Sequence, residues 1–229
     1  MKTRMLISLT VASLLLTSLP GYSNENRGRD PKRVTGGGRG GCDTLIAQDS
    51  SADDLVALVP KKGEMLVASI APSFWFYTPY TPASSLMAKF TLRDENDQLV
   101  MEPVDIELPK TAGIFSVQMP KPLKQNISYR WYFSIGCDAV HPSKNPLVQG
   151  RIRVIEPTIP LKNQLKQASS PVQTATLYMQ AGLWNDALTQ AATQQEVNAN
   201  AKALWLELLK VENLDAIATK PILPCCTPR

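Results

Sequence analysis

Between Leu55 and Glu156 apolar and polar residues alternate with a period of two. Leu86, Ala88, Phe90 and Leu92 interleave with Met87, Lys89, Thr91 and Arg93. Val104, Ile106 and Leu108 interleave with Asp105 and Glu107, and Phe115, Val117 and Met119 follow Gly113. Tyr129, Trp131, Phe133 and Ile135 alternate with Arg130, Tyr132 and Ser134, and Val148, Ile152 and Val154 with Gln149, Arg151 and Arg153. Each such run places one face on a core and the other in water. With Glu64–Ile70, Ser73–Thr78 and Gln98–Met101 the pattern predicts about eight short strands. Turn-rich stretches separate them: Arg93–Asp97, Pro109–Gly113 and Pro120–Pro122. Short sequential strands at this spacing predict an all-β immunoglobulin-like sandwich over residues 42–157.

After Pro160 the period becomes helical. Leu161, Leu165 and Ala168 open a short amphipathic helix. Ser170 and Pro171 have the chemistry of an N-cap and a first helical position. The helix they start carries Ala175, Tyr178 and Met179 and stops at Gly182. A third helix follows from about Leu183 to Gln194, with Trp184, Ala187, Leu188 and Ala191 on one stripe. A fourth spans about Asn200 to Val211, with Leu204, Trp205, Leu208 and Leu209, and Asn213 caps a last turn through Ile217. The expectation is a segregated α+β chain, with a helical region over 158–219 and a proline-rich tail over 220–229 lacking a core pattern.

The start of the chain has a different character. Lys2 and Arg4 precede an apolar run from Met5 to Leu19, which Pro20 breaks before Gly21-Tyr22-Ser23. This is the pattern of a secretory signal peptide over residues 1–23, too short for a membrane span. No cysteine follows the run, so no lipid anchor is expected, and the protein is expected to be periplasmic or extracellular. Residues 24–41 have no apolar periodicity, contain Gly36-Gly37-Gly38-Arg39-Gly40-Gly41 and carry Arg27, Arg29, Lys32, Arg33 and Arg39. Export argues against nucleic acid as a partner, and a flexible, solvated spacer is expected. The formal charge of +4 falls to about +2 once Lys2 and Arg4 are removed, too small for a global polyanion-binding field.

Four cysteines, Cys42, Cys137, Cys225 and Cys226, would meet an oxidising compartment. Cys137 keeps the inward phase of Tyr129, Trp131, Phe133 and Ile135, and Cys42 enters just before the strands. A Cys42–Cys137 bridge is therefore expected. Adjacent Cys225 and Cys226 lack the C-x-x-C redox spacing.

Candidate chemistry is sparse. His141 is the only histidine, so a metal site or a Ser-His-Asp triad has little to work with, and a surface turn is the expected role. Asp94, Glu95 and Asp97 share one turn, as do Asp53 and Asp54. A calcium site or a hydrolytic carboxylate pair is the sharper reading of them, and turn formation the plainer one. The strand Phe74-Trp75-Phe76-Tyr77 puts aromatics on both faces, and Tyr80 follows. If Trp75, Tyr77 and Tyr80 are open, they form a platform for sugars or proline-rich peptides. If the C-terminal helices cover them, they are core.

Two resemblances add to this. The stretch Leu177–Leu188, with Gly182, Trp184 and Ala187, resembles a single tetratricopeptide helix–turn–helix. One unit forms no peptide groove. The motifs Gly38-Arg39-Gly40-Gly41-Cys42, Leu55–Pro60, Pro72–Pro79, Tyr129–Cys137, Gly150–Arg153 and Gly182–Ala187 together resemble a cyanobacterial family of exported proteins, the domain of unknown function numbered 928. That resemblance implies a secreted or periplasmic placement and brings no reaction, ligand or catalytic residue. The sequence thus points to a non-enzymatic, cofactor-free interaction or structural module of the cell envelope, with an envelope protein or glycan as partner. A carbohydrate-binding module using the aromatic face is the alternative, and an envelope hydrolase the third.

Overall fold

A computed structural model describes residues 30–34, 42, 45, 54–82, 86–224 and 226. The signal-peptide residues, Asp53 and Cys225 lie outside the described residues.

Among the described residues eight strands and four α-helices follow one another: β1 (Val56–Ala57), β2 (Met65–Val67), β3 (Ser73–Thr78), β4 (Met87–Arg93), β5 (Val104–Glu107), β6 (Gly113–Gln118), β7 (Ser128–Ile135) and β8 (Leu147–Val154), then α1 (Ile159–Gln167), α2 (Pro171–Gln180), α3 (Trp184–Ala192) and α4 (Ala199–Val211). They make a three-stranded sheet in the order β1-β3-β6 and a five-stranded sheet in the order β2-β8-β7-β4-β5. The pairings are antiparallel except β2–β8, which is parallel, with Leu66 opposite Arg153. Gln98–Met101, expected as a strand, contributes only the bridge Arg93–Leu99.

The two sheets face each other across one apolar core. Phe74 and Phe76 of β3 meet Phe90 of β4 and Trp131 and Phe133 of β7. The Phe76 and Phe133 rings stack at 4.1 Å, and Phe74 lies 4.8 Å from Phe90. A second core lies on the opposite side of the three-stranded sheet. There Val56, Leu58, Trp75, Tyr77 and Ile114 pack on Ala175, Trp184, Leu188, Trp205, Leu208 and Ile217. The molecule therefore has three layers, with the small sheet in the middle and helices outside it. Burial of both cores is the principal driving force for this arrangement, at roughly 1.5–3 kcal/mol for each large side chain fully removed from water.

The helix ends follow local chemistry. Ser170 caps α2 through its hydroxyl, which accepts the Gln173 N–H at 3.2 Å, and Pro171 supplies the first helical position. Gly182 takes φ = 74° directly after the α2 C-cap, a conformation that glycine adopts at no steric cost. Asn213 ends α4 with φ = 56°, and the last turn, Asp215–Ile217, starts from Leu214 instead.

Cys42 and Cys137 are joined by a disulfide, with Cα atoms 5.3 Å apart and a sequence separation of 95. It ties the segment before β1 to the end of β7. Cys226 is also disulfide-bonded.

Both terminal segments differ from what composition suggests. Residues 30–34, assigned to a solvated spacer, bridge the two sheets: Lys32 pairs with Gln149 of β8 and Val34 with Val56 of β1. The Arg33 side chain, 11% exposed, donates to the Glu212 carbonyl at 2.7 Å, at the C-terminal end of α4. That is where a helix dipole favours a cation. Burial lowers the Arg33 pKa, and the Glu212 carboxylate works against that shift. At the other end Ile222 adds to the β6 edge in parallel: the Ile114 N–H donates to the Pro221 carbonyl, and the Leu223 N–H to that of Ile114. A Cβ on Gly113 would sit 2.7 Å from the Leu223 side chain, so the close approach of this tail requires glycine there.

Candidate functional site

The aromatic residues singled out from the sequence are not an open platform. Trp75 is 6% exposed, Tyr77 0% and Tyr80 3%. Trp75 lies edge-on to Trp205 with ring centroids 5.9 Å apart, and its Nε1 donates to the Thr189 hydroxyl at 3.0 Å. Tyr77 belongs to the same helix-covered core, while Tyr80 faces the core between the sheets. Of the two readings of this strand the covered one holds, and Trp75, Tyr77 and Tyr80 are not ligand contacts of an open platform: the C-terminal helices occupy the face of Trp75 and Tyr77, because Tyr178, Trp184 and Trp205 need an apolar partner and β3 supplies one.

The acidic clusters also resolve into local structure. The Asp94 carboxylate accepts the N–H groups of Asn96 and Gln98, both at 2.9 Å, and so closes its own turn. Asp97, at φ = 65°, points its carboxylate at Arg130 (3.1 Å) and Arg93 (3.7 Å). His141 is exposed on a turn, its Nδ1 3.2 Å from Asp138. Hydrogen bonds from the His141 backbone and side chain hold the Asp138 carboxyl below its ordinary range. Among the described residues no three His, Cys, Asp or Glu side chains come together in a way that could hold a metal ion.

Two surfaces remain. The first is the outer face of the five-stranded sheet. The register places Arg93 opposite Arg130, and Arg130 opposite Arg151, in one row across β4, β7 and β8. Arg153 follows next to this row, opposite Ser128. Like charges directly opposite each other are destabilising. Asp97 serves Arg93 and Arg130, and the nearly buried Glu64 carboxylate serves Arg153 at 2.8 Å and the Ser128 hydroxyl. Arg151 has neither an ion pair nor a side-chain hydrogen bond among the described residues. It lines a shallow concavity of about 450 Å³ with Asp30, Arg130, Tyr132 and Gln149.

The second is a crevice of about 450 Å³ where α2 and α3 meet the segment joining β2 to β3. Asn185 and Asp186, at the start of α3, are 2% and 7% exposed. The Asp186 carboxylate accepts the N–H of Ala68 at 2.9 Å and of Ser69 at 3.1 Å. Burial pushes its pKa up, and three backbone donors, the N–H groups of Ala68, Ser69 and Asp186 itself, pull it part of the way back. Asn185 Nδ2 donates to the Ser73 carbonyl at 3.1 Å, while its Oδ1 is buried without a partner. Tyr178 stands nearby, and burial followed by the Asp186 charge raises its pKa. Sequence reasoning missed this pair. In a helix first turn Asn and Asp read as solvated residues, and only the tertiary contact with residues 68–73 buries them.

Among the described residues no helix is long and apolar enough to cross a membrane. No curated protein matches the chain. Residues 34–222, from the segment that joins the two sheets to the tail strand on β6, match the family described as Domain of Unknown Function (DUF928), and the chain belongs to that family.

Proposed function

We propose that this protein is an exported, non-catalytic binding module of the cell envelope, whose outer sheet face holds an acidic glycan. The observation that carries this reading is the arginine row Arg93–Arg130–Arg151, in which Arg151 has no anionic partner. A solvated sheet face gains nothing from three guanidinium groups in register. A carboxylate- or sulfate-bearing polymer laid across the strands would offset their repulsion, since guanidinium groups pair with such anions in bidentate fashion. Tyr132 and Gln149, one row further along, offer a ring face and an amide to sugar hydroxyls.

The signal-like N-terminal pattern and the Cys42–Cys137 bridge support export. The two facing sheets are consistent with an immunoglobulin-like sandwich carrying one parallel pair, and α2–α3 with a single tetratricopeptide-like hairpin used as a cover instead of a groove. A glycosidase needs two carboxyl groups across a cleft. Asp186 is the only carboxylate among the described residues lining the crevice, which favours the binding reading over the hydrolytic one.

The test is binding of the full mature chain to polygalacturonate, with neutral dextran as control. Binding that weakens with added salt and with Arg151→Gln supports the proposal. Equal binding to dextran, or no binding to polygalacturonate at low salt, overturns it. Capture of an acidic envelope protein by the same face, without polygalacturonate binding, replaces the glycan with a protein partner.

A further inference from the structure

We propose that the crevice between α3 and the β2–β3 segment binds one unit of an uncharged saccharide, independently of the arginine face. The unmet hydrogen-bonding capacity there is the starting point. Asn185 is 2% exposed and spends its Nδ2 on Ser73, which leaves Oδ1 buried and unpartnered. Leaving a buried acceptor unpaired costs free energy; Oδ1 is closed to solvent, so a donor in the crevice removes that cost through a small shift of the Asn185 side chain at the crevice wall. Asp186 has no cation within ion-pair distance among the described residues, and with three backbone donors, its own N–H included, its two oxygens still keep a free lone-pair direction between them. The Tyr178 hydroxyl also has no hydrogen-bond partner among the described residues and stands at the same opening.

The rest of the lining sets the class of ligand. Ser69, Ser73, Gln118 and Gln190 surround the opening, so amides and hydroxyls outnumber the single charge. Such groups both donate and accept, which matches hydroxyls that do the same. An ammonium only donates, and would leave the amide N–H groups of Gln118 and Gln190 and the Tyr178 hydroxyl without acceptors. An anion would meet the Asp186 carboxylate. A metal would find one carboxylate where several ligands are needed. The volume lies within the usual range of small-ligand sites.

The experiment is amide-resolved NMR titration of the full mature chain with glucose, mannose, galactose and N-acetylglucosamine, with glucosamine and glucuronate as charged controls. The expected result is a saturable shift of the Ser69, Ser73, Asn185 and Thr189 amides with at least one uncharged sugar. Tyr178→Phe, which removes one half-exposed oxygen, weakens binding by about three- to tenfold, and Asn185→Ser by about tenfold or more. If Asn185→Ser fails to fold, Tyr178→Phe and Gln190→Ala carry the comparison. Arg151→Gln leaves this binding unchanged, so failure here is distinct from failure of the glycan-face reading. No saturable shift with any uncharged sugar overturns the proposal. So does binding of glucosamine alone, or wild-type affinity in both Tyr178→Phe and Gln190→Ala.

Discussion

The two sheets are built from similar residues but live in different surroundings. The middle strand of the small sheet, β3, is buried at five successive positions from Phe74 to Thr78, whereas the central strand of the large sheet, β7, alternates buried and half-buried residues along most of its length. A strand covered on both faces loses its period of two and reads as a continuous apolar run. Phe74-Trp75-Phe76-Tyr77 is therefore a count of layers written into one strand: sheet on one side, helices on the other. The large sheet keeps its alternation because one of its faces meets water, and the candidate chemistry of arginines collects on that face.

The strongest way to break this comparison is to remove the third layer. A chain truncated after Pro157 leaves Val56, Leu58, Trp75, Tyr77 and Ile114 uncovered. It should bind an apolar dye and lose cooperative melting; an unchanged melting curve would mean that the helices are an independent unit. Within the full chain, Trp75→Ala probes the same interface at about 3–5 kcal/mol.

Loss of the bridge between the segment before β1 and the end of β7 comes next. Cys137→Ser frees a closure spanning 95 positions, worth about 4–5 kcal/mol in the chain-entropy description. Both tryptophan fluorescence and far-ultraviolet dichroism should report the lower melting temperature. A shift in only one signal would separate the stabilities of the layers.

A smaller effect concerns the seam between helices and sheet. Burial raises the Asp186 pKa in the folded state. An acid with a raised folded pKa binds its proton more tightly when folded. Its contribution to stability is greatest below the unfolded pKa and is lost as pH rises through the folded one. Against Asp186→Asn, the wild type should therefore lose relative melting temperature as pH rises above the ordinary aspartate range of about 4. A flat difference would show that the backbone donors balance burial, and a relative gain as pH rises that they outweigh it.

The smallest expected change is on the open face. Arg151→Gln relieves repulsion from Arg130 and breaks no ion pair, so stability should stay within about 0.5 kcal/mol or rise slightly. A large loss in thermal denaturation would mean that Arg151 has a structural role.

Much of this architecture was legible in local pattern. The alternations located β4 to β8, the Ser170-Pro171 and Gly182 signals bounded α2, and the inward phase of Cys137 pointed to Cys42. Three things were hidden, each because distant residues decide it. The parallel β2–β8 pairing joins residues 65–67 to 152–154, and nothing in three short residues announces a partner so far away. Lys32 to Val34 carry no apolar pattern, since they enter the fold through backbone pairing and a capping arginine. Asn185 and Asp186 have the chemistry of an exposed first turn, and only the chain at Ala68 to Ser73 turns them into an interior pair.

The terminal segments flank the small sheet on opposite sides, Val34 beside β1 and Ile222 beside β6. An unpaired strand border is a template for joining another chain. A chain that emerges N-terminus first can close the β1 border early, but the β6 border stays bare until residues 221–223 have emerged. The interval between those two events is when self-association is most dangerous, and it spans more than a hundred residues of chain. A holding chaperone that shields β6 during that interval would raise the yield of native protein more than one that assists the N-terminal half.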